Sequence, residues 1–455
     1  MDRSEEKMFR AYDIRGVYGK DLTVSFAEKL GRALGTYFGE GKTLAVARDT
    51  RESGGLLKDR LTESLTSVGC NVVDLGIFPT ASAALVILLK KLDGGVVVSA
   101  SHNMAEWNGF IPINSEGLIC SEGFGMERIK DIFTKQAFST ASRAGTTSRL
   151  EAGEDYLDLI LSKVRVDGRF RVVLDVRGGA THLLGPAAFS RAGCEVVTIN
   201  DKIDGRFHGQ KPDVTEECLT DLKRTVLERN ADVGIAFDAD GDRVAFVDSR
   251  GRYCGSGNVT VALFSGSYLK ETRGAKVVFD VCCSSFISEF VRSNGGVPIV
   301  NRVGHSFIST RMKQEKAVFG GEYSNHLYFS EISGLDDAIF AGLKLLEILS
   351  KNKPLADLVD SIPKYPATVV ESIKSPDEIK FVVVERLKPK VSSMGYKITD
   401  LDGIKAFSDQ GWFLIRASNT NPTIKVNAEG KTEDAARKLH DLAAEMVRRE
   451  VADFK

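Results

Sequence analysis

Long apolar runs are missing from this chain. No stretch is extended and uncharged enough to cross a bilayer, so no membrane partner is expected. Charge of one sign is missing too: 61 Lys+Arg stand against 62 Asp+Glu, with no block of like charge, so no nucleic-acid partner is expected either. The seven cysteines show no paired C-x-x-C spacing. Scattered thiols fit buried positions in a reducing compartment, and adjacent Cys282 and Cys283 read as core or loop residues rather than a metal clip. The opening segment Met1 to Lys7 is charged and lacks an apolar centre, so no secretory signal is read there and a cytoplasmic location is expected.

What is present is length and repetition. At 455 residues the chain outgrows a single hydrophobic core, and length alone suggests about three domains. A β-rich stretch, an amphipathic helix, a glycine and a second β-rich stretch recur at Thr43–Gly76, Arg171–Asn200 and Lys276–Arg302. In each copy a glycine (Gly69, Gly193 or Gly295) stands where helix must give way to strand, a position that favours positive φ. Short strands alternating with helices predict parallel or mixed sheets with right-handed crossovers. After Pro363 to Pro366 the pattern changes. Strands near Thr368–Lys374, Lys397–Phe407, Trp412–Arg416 and Thr423–Ala428, a helix near Asp377–Val391 and a last amphipathic helix over Glu433–Val451 predict an α+β unit. The expected class is therefore α/β: three related α/β domains at 1–145, 146–253 and 254–366, plus a C-terminal α+β domain at 367–455.

Each repeat continues through another helix to a third strand that ends in an unusual loop. In the first copy, Ser101 follows the strand-forming run Gly94–Val98. A serine at the carboxyl end of a buried strand stands where open α/β sheets place their chemistry, and suits a nucleophile or a phosphoryl carrier. In the second copy, Asp238, Asp240 and Asp242 follow the strand Asp232–Phe237. Clustered hard oxygens suit Mg²⁺ or Ca²⁺; the alternative is a solvated acidic turn, but three acids crowded beside apolar strands favour a cation. Arg243, next in sequence, suits phosphate oxygens. In the third copy, Glu322, Ser324 and His326 suit the vicinal hydroxyls of a sugar. His305 suits the same cleft or a structural place at a helix start. Between two strands of the last domain, Arg416, Ser418, Asn419 and Thr420 make either a phosphate clamp or a plain turn. Near the N-terminus, Arg15 either neutralises a phosphate on Ser101 or pairs with Asp13 at the surface.

Taken in order, Phe9–Gly16, Ser99–Gly109, Asp238–Arg243, Val303–Ile308, Gly321–His326, Asp336–Glu347 and Arg416–Pro422 resemble the α-D-phosphohexomutases, most closely their phosphomannomutase/phosphoglucomutase branch. The resemblance covers essentially the whole chain. It implies four domains around a central cleft, each supplying one loop. It implies Ser101 as the phosphoryl carrier, and Ser101 with Asp238, Asp240 and Asp242 as Mg²⁺ ligands. Glu322 and Ser324 then grip sugar hydroxyls, while Arg416, Ser418, Asn419 and Thr420 clamp the distal phosphate. Tyr12, His102, Arg243, Gly304 and His326 fall within the matching segments and are expected to contact substrate, with Arg15 and His305 joining Ser101 in catalysis. The implied activity is Mg²⁺-dependent interconversion of hexose 1-phosphate and hexose 6-phosphate, of mannose or glucose. It runs through phosphoserine and a bisphosphorylated hexose that is both intermediate and activator. Hexose phosphates are the expected partners, with the chain a monomer or dimer.

The chain departs from the family pattern at several points. Ile111 stands where the resemblance implies a lysine two residues after Asn108-Gly109, Cys282 stands where a relative has lysine, Met104 replaces a proline, and Ala239 and Asn325 replace glycines. General acid–base help is worth about 10² to 10⁴ in rate. Without that lysine, either His305 or His326 takes over proton transfer, or the chain is a weakened paralogue that binds phosphosugars without efficient turnover. A phosphatase with Asp238 as nucleophile ranks lower, because it leaves Ser101 and the clamp without a role.

Overall fold

The computed structural model describes residues 3–254, 257–419 and 421–454. Among these residues the strands form four sheets, and the first three follow one plan. In each, the first strand of the repeat is central: Thr43–Arg48, Arg171–Asp175 or Lys276–Asp280. The second strand (Asn71–Ile77, Glu195–Ile199 or Val297–Asn301) lies parallel on one side. The third (Gly94–Val98, Val233–Phe237 or Phe319–Gly321) lies parallel on the other. A fourth strand then turns back antiparallel beside the third, at Trp107–Asn114, Val244–Asp248 or Leu327–Phe329. The segment joining third to fourth strand is in every copy the loop singled out by its chemistry. Three polar loops therefore hang from topologically equivalent positions.

Local physics explains the repetition. Gly69, Gly193 and Gly295 adopt φ of +89°, +86° and +78°, as the helix-to-strand joint requires. Gly94–Val98 and Val233–Phe237 are buried along their whole length, the pattern of strands covered on both faces by helices. The first sheet is larger than the repeat. Ile14–Val17 pairs antiparallel with Trp107–Asn114, which sets Arg15 opposite Gly109, and Thr147–Arg149 adds a parallel edge strand. That edge strand lies past residue 145, where the first domain was expected to stop; its three residues are all exposed and carry no apolar signal.

The last sheet is antiparallel throughout, in the order Glu371–Lys374, Thr423–Gly430, Gly411–Ala417, Ile404–Ser408, Lys397–Thr399. The single strand expected over Lys397–Phe407 is two strands of a hairpin, turned at Gly403 with φ +83°. The helix expected near Asp377–Val391 runs from Lys380 to Ser393. The last helix, Glu433–Ala452, is capped by Thr432, whose Oγ1 accepts from the Ala435 N–H at 3.1 Å. It packs on its own sheet through Leu439, Ala443 and Val447 against Phe413, Ile415 and Val426. Among the described residues no helix is long and apolar enough to cross a membrane.

One buried carboxylate knits the first three domains. Asp337 caps the helix Ala338–Ser350 by accepting from the Phe340 N–H at 2.9 Å. It also accepts from Ser82 Oγ at 3.0 Å and from the Tyr156 hydroxyl at 2.9 Å, groups carried by the helices Thr80–Lys90 and Gly153–Leu161. Burial pushes its carboxyl up to about 6 against those bonds. Asp337→Ala removes the cap and strands two buried hydroxyls, so a loss of about 2 to 4 kcal/mol is expected. An earlier urea transition for Asp337→Ala than for Asp337→Asn, which keeps an acceptor, checks it.

Candidate active site

The serine loop is built on a buried guanidinium. Ser101 itself sits at φ +48°, the left-handed region that a non-glycine residue occupies only when its surroundings impose it. Arg51 imposes it. Its Nε donates to Asp49 Oδ2 at 2.9 Å, Nη1 to the carbonyls of Met104 and Trp107 at 2.7 and 3.1 Å, and Nη2 to those of Ser101 and Asn103 at 2.6 and 2.7 Å. A guanidinium has five N–H donors, and all five are used. Both Arg51 and Asp49 are fully buried. The Ser101 N–H donates to Ser99 Oγ at 2.9 Å, and that hydroxyl lies 2.8 Å from Asp49 Oδ2 and 3.0 Å from Asp240 Oδ2. Ser99 thus joins the serine loop to the aspartate loop of the second sheet. Gly109 closes the other side, where an added Cβ would stand 2.6 Å from the Ile14 carbonyl.

The aspartate loop meets Ser101 directly. Asp238 Oδ1 accepts from the backbone N–H groups of Gly241, Asp242 and Arg243 at 3.0 to 3.2 Å, which leaves Oδ2 facing Ser101 Oγ at 3.3 Å. Thr80 Oγ1 donates to Asp240 Oδ2 at 2.7 Å. Asp240 Oδ1 and Asp242 Oδ1 are buried without a hydrogen-bond partner. The three carboxylates offer oxygens within 4.8 Å of one another. Burial, then the charge of Asp240, pushes Asp238 up to about 7, and Asp242 is raised by burial and by both neighbouring carboxylates. Three buried carboxylates, two of them with an unsatisfied oxygen, beside a hydroxyl are a donor set fit for Mg²⁺.

These two loops open on a central cavity of about 260 Å³ that all four domains line. The first domain contributes Tyr12, Arg15, Ser101 and His102; the second Asp242 and Arg243; the third Gly304, His305, Glu322, Ser324 and His326; the last Arg416, Ser418 and Asn419. Asp238 and Asp240 are fully buried rather than on the cavity surface. Thr420 lies outside the described residues. Arg15 pairs with Asp13 at 2.9 Å, but the pair is buried rather than at the surface, and Arg15 lines the cavity.

Hydrogen bonds fix the third domain's wall. Arg243 Nε donates to His326 Nε2 at 2.9 Å, so the ring proton sits on Nδ1, 2.7 Å from Asp336 Oδ2. Burial lowers the His326 pKa to about 4, leaving the ring neutral. His305 is different: neither ring nitrogen has a hydrogen-bond partner, although the side chain is buried and its Nδ1 lies 3.6 Å from Asp336 Oδ2. Asp242, His305, His326 and Asp336 also converge, but there the Arg243 guanidinium already occupies His326. Glu322 Oε1 accepts from the Gly304 N–H at 2.8 Å and Oε2 from the Tyr328 hydroxyl at 2.6 Å. Burial, then Asp280, raises that carboxyl to about 7. His102 Nδ1 lies 3.2 Å from Ser101 Oγ, and burial holds this imidazole well below its usual range.

Sequence reasoning passed over Arg51, Asp49 and the cavity-lining Lys425, and gave no role to Asp336, which opens one of the matching segments. For Arg51 a signal existed, because Asp49-x-Arg51 and Asp175-x-Arg177 end equivalent strands. Ile111, read as the place of a missing lysine, is 1% exposed and belongs to an apolar cluster with Val97 and Ile113. It packs in the core and does not line the cavity.

Removing the Arg51 side chain leaves Asp49 buried and unpaired, a loss of about 3 to 5 kcal/mol. Arg51→Lys keeps the charge but not the planar fork. It is expected to fold with faster amide hydrogen exchange across residues 99–107 and unchanged exchange in the last domain. Unchanged protection of that loop would show that Arg51 does not hold it.

Family models described as phosphoglucomutase/phosphomannomutase match this chain in four pieces: alpha/beta/alpha domain I over residues 6–140, domain II over 154–251, domain III over 256–365 and the C-terminal domain over 374–446. A Methanopyrus kandleri protein named "Probable phosphoglucosamine mutase" is 34% identical over 452 residues, 99% of each chain. A Pseudomonas putida protein named phosphomannomutase/phosphoglucomutase is 33% identical over 443 residues, 96% of this chain and 94% of its own. Among solved structures, a phosphoglucomutase/phosphomannomutase family protein from Burkholderia thailandensis superposes with a TM-score of 0.89 at 28% identity, covering 98% of both chains. A likeness that runs unbroken through all four domains leaves one reading of the cleft's ancestry: the chain belongs to the phosphoglucomutase/phosphomannomutase family, whose members are mutases of the isomerase class.

Proposed function

We propose that this chain interconverts the 1- and 6-phosphates of a hexose, mannose or glucose, using Ser101 as phosphoryl carrier and a bisphosphorylated hexose as intermediate. The observation that carries the reading is Ser101 Oγ lying 3.3 Å from the buried Asp238 Oδ2, at the edge of a cleft that Ser101, Arg15, Arg243 and Arg416 line. Phosphoryl transfer needs alignment and charge neutralisation more than covalent help, and this is where the cleft concentrates its charge.

In this reading Ser101, Asp238, Asp240 and Asp242 hold Mg²⁺. When bound, the ion neutralises charge developing on the phosphoryl oxygens. Glu322 and Ser324 orient the sugar's hydroxyls, with Tyr12, His102, Gly304 and His326 shaping the space around it. Arg416, Ser418, Asn419 and Thr420 hold the phosphate that is not reacting. The attacking hydroxyl forms its bond to phosphorus as the bond to Ser101 Oγ breaks, the electron pair of that bond leaving with Oγ. Its proton passes to His305, whose ring nitrogens are the ones in this wall with no hydrogen bond to give up. Arg15 and Arg243 stabilise the transferring group from either side. Boundaries near 145, 253 and 366 and a cytoplasmic location belong to the same proposal.

A second reading, a phosphosugar-binding protein with weak turnover, is favoured by one observation: the core position of Ile111 leaves no ammonium beside Ser101. One assay separates the two. Purified protein is supplied with mannose 1-phosphate or glucose 1-phosphate, Mg²⁺ and a trace of the bisphosphorylated sugar. The 6-phosphate is expected to form, with intact mass showing one added phosphoryl group that Ser101→Ala lacks. Binding by calorimetry without any isomerisation selects the second reading.

The carboxylate cluster is tested separately. Asp242→Asn is expected to cut turnover by about 100-fold or more. Excess chelator is expected to abolish turnover and restored Mg²⁺ to recover it; activity indifferent to both removes the metal from the proposal.

A further inference from the structure

Gly411–Ala417 and Thr423–Gly430 pair antiparallel so that Arg416 lies directly opposite Lys425, and Leu414 opposite Asn427. Residues two apart on a strand share a face, and all four of these side chains line the central cavity. Two cations therefore face each other across neighbouring strands, an arrangement that destabilises a sheet unless something offsets it. Among the described residues nothing does so for Lys425, whose ammonium makes neither a hydrogen bond nor an ion pair. Arg416 is little better served. Its Nη1 lies 3.7 Å from Asp402 Oδ2, an oxygen that already accepts from the Val303 N–H at 3.0 Å. Arg416 Nε and Nη1 are buried without a hydrogen-bond partner. Burial, then the charge of Arg416, lowers the Lys425 pKa to about 8, so the ammonium stays mostly charged at neutral pH in spite of both. A partly buried pair of cations whose nearby counter-charge is the single, shared carboxylate of Asp402, and which opens on a cavity, is suited to an anion with several oxygens.

We infer that Lys425 is an anion ligand of the cleft, which with Arg416 grips the non-reacting phosphate of the substrate from one sheet face. For its substrate this rests on the hexose-phosphate reading above; for its anion it rests on strand register and the shared cavity alone. Lys425 would raise affinity without entering the chemical step, so its loss belongs in KM rather than kcat.

The test is calorimetry and thermal melting of the full chain with glucose 6-phosphate and with inorganic phosphate, comparing the native protein, Lys425→Met and Lys425→Arg. Lys425→Met keeps the stem and drops the charge. It is expected to bind both anions about 10- to 100-fold more weakly, with KM rising in step and kcat little changed. Lys425→Arg is expected to retain most of the affinity. Ligand-free Lys425→Met is expected to melt no earlier than the native protein, because a cross-strand repulsion has gone. Earlier melting with equal loss in Lys425→Met and Lys425→Arg would mark a structural role and overturn the inference. Undiminished hexose-phosphate binding in Lys425→Met overturns it while leaving the mutase reading intact. Phosphate binding that needs Lys425, in a protein that does not bind the sugar phosphate, keeps the anion site and removes the mutase reading. Native protein that binds neither anion removes both.

Discussion

A buried guanidinium with every donor satisfied is the constraint on which the rest of this site depends. Arg51 is paired with Asp49 and ties down four carbonyls of the serine loop, so Ser101 is held in a backbone region it would not choose. Burying an ion pair is costly, and replacing one with apolar residues is often neutral or stabilising. Its value here is positional. Asp49 Oδ2 also meets Ser99 Oγ, which meets Asp240 Oδ2, so one network fixes the hydroxyl of one domain against the carboxylates of another. A loop anchored by apolar contacts alone would lack that directional link.

The cleft leaves part of its charge uncompensated, although Arg15 pairs with Asp13. On one side two of the three buried carboxylates, Asp240 and Asp242, leave an oxygen unsatisfied; on the other, Arg416 and Lys425 face each other with little counter-charge. Each group is expensive while alone, and each would be relieved by an ion of opposite sign. A divalent cation and a sugar phosphate are the two species that would do this together. Charge left incomplete on both walls is what distinguishes this cavity from a merely polar fissure between domains.

Much of this was legible in the sequence, for reasons that can be named. The thrice-repeated strand–helix–Gly–strand pattern is visible because helix-to-strand joints need positive φ and buried parallel strands need apolar runs. The aspartate loop is visible because three acids in five residues, set directly after an apolar strand, repel one another unless a cation joins them. What stayed hidden depends on pairing between distant segments. Thr147–Arg149 is an exposed edge strand with no pattern of its own, and the hairpin at Gly403 reads as one continuous strand until its register is known. Arg51 was passed over although the turn that carries it occurs three times. The strands end in Asp49-x-Arg51, Asp175-x-Arg177 and Asp280-x-Cys282, and in each the backbone N–H two residues on donates to the aspartate, at 2.9, 3.1 and 2.6 Å. Lys425 was hidden for a simpler reason: its partner across the sheet is nine residues earlier, and only register sets it beside Arg416.

That threefold turn also shows how one scaffold carries different chemistry. The aspartate keeps its structural task in every copy, accepting the same backbone bond, while the residue two places on is free to change. In the first copy Arg51 turns inward to hold the serine loop; in the second, Arg177 donates to the Lys211 carbonyl at 3.3 Å; in the third, Cys282 has no guanidinium to turn and lines the cavity. The third wall consequently has no cation at this strand end, and Arg416 and Lys425 bring positive charge from the domain opposite. Ile111 fits the same logic. Packed with Val97 and Ile113, it belongs to the core of the first domain, and a lysine there would have to carry its ammonium out of an apolar cluster. With neither position cationic, the proposed reaction would leave the non-reacting phosphate to the fourth domain. In the proposed reaction the proton would then fall to His305, a buried imidazole with no hydrogen bond and only Asp336 Oδ2 near its Nδ1, at 3.6 Å.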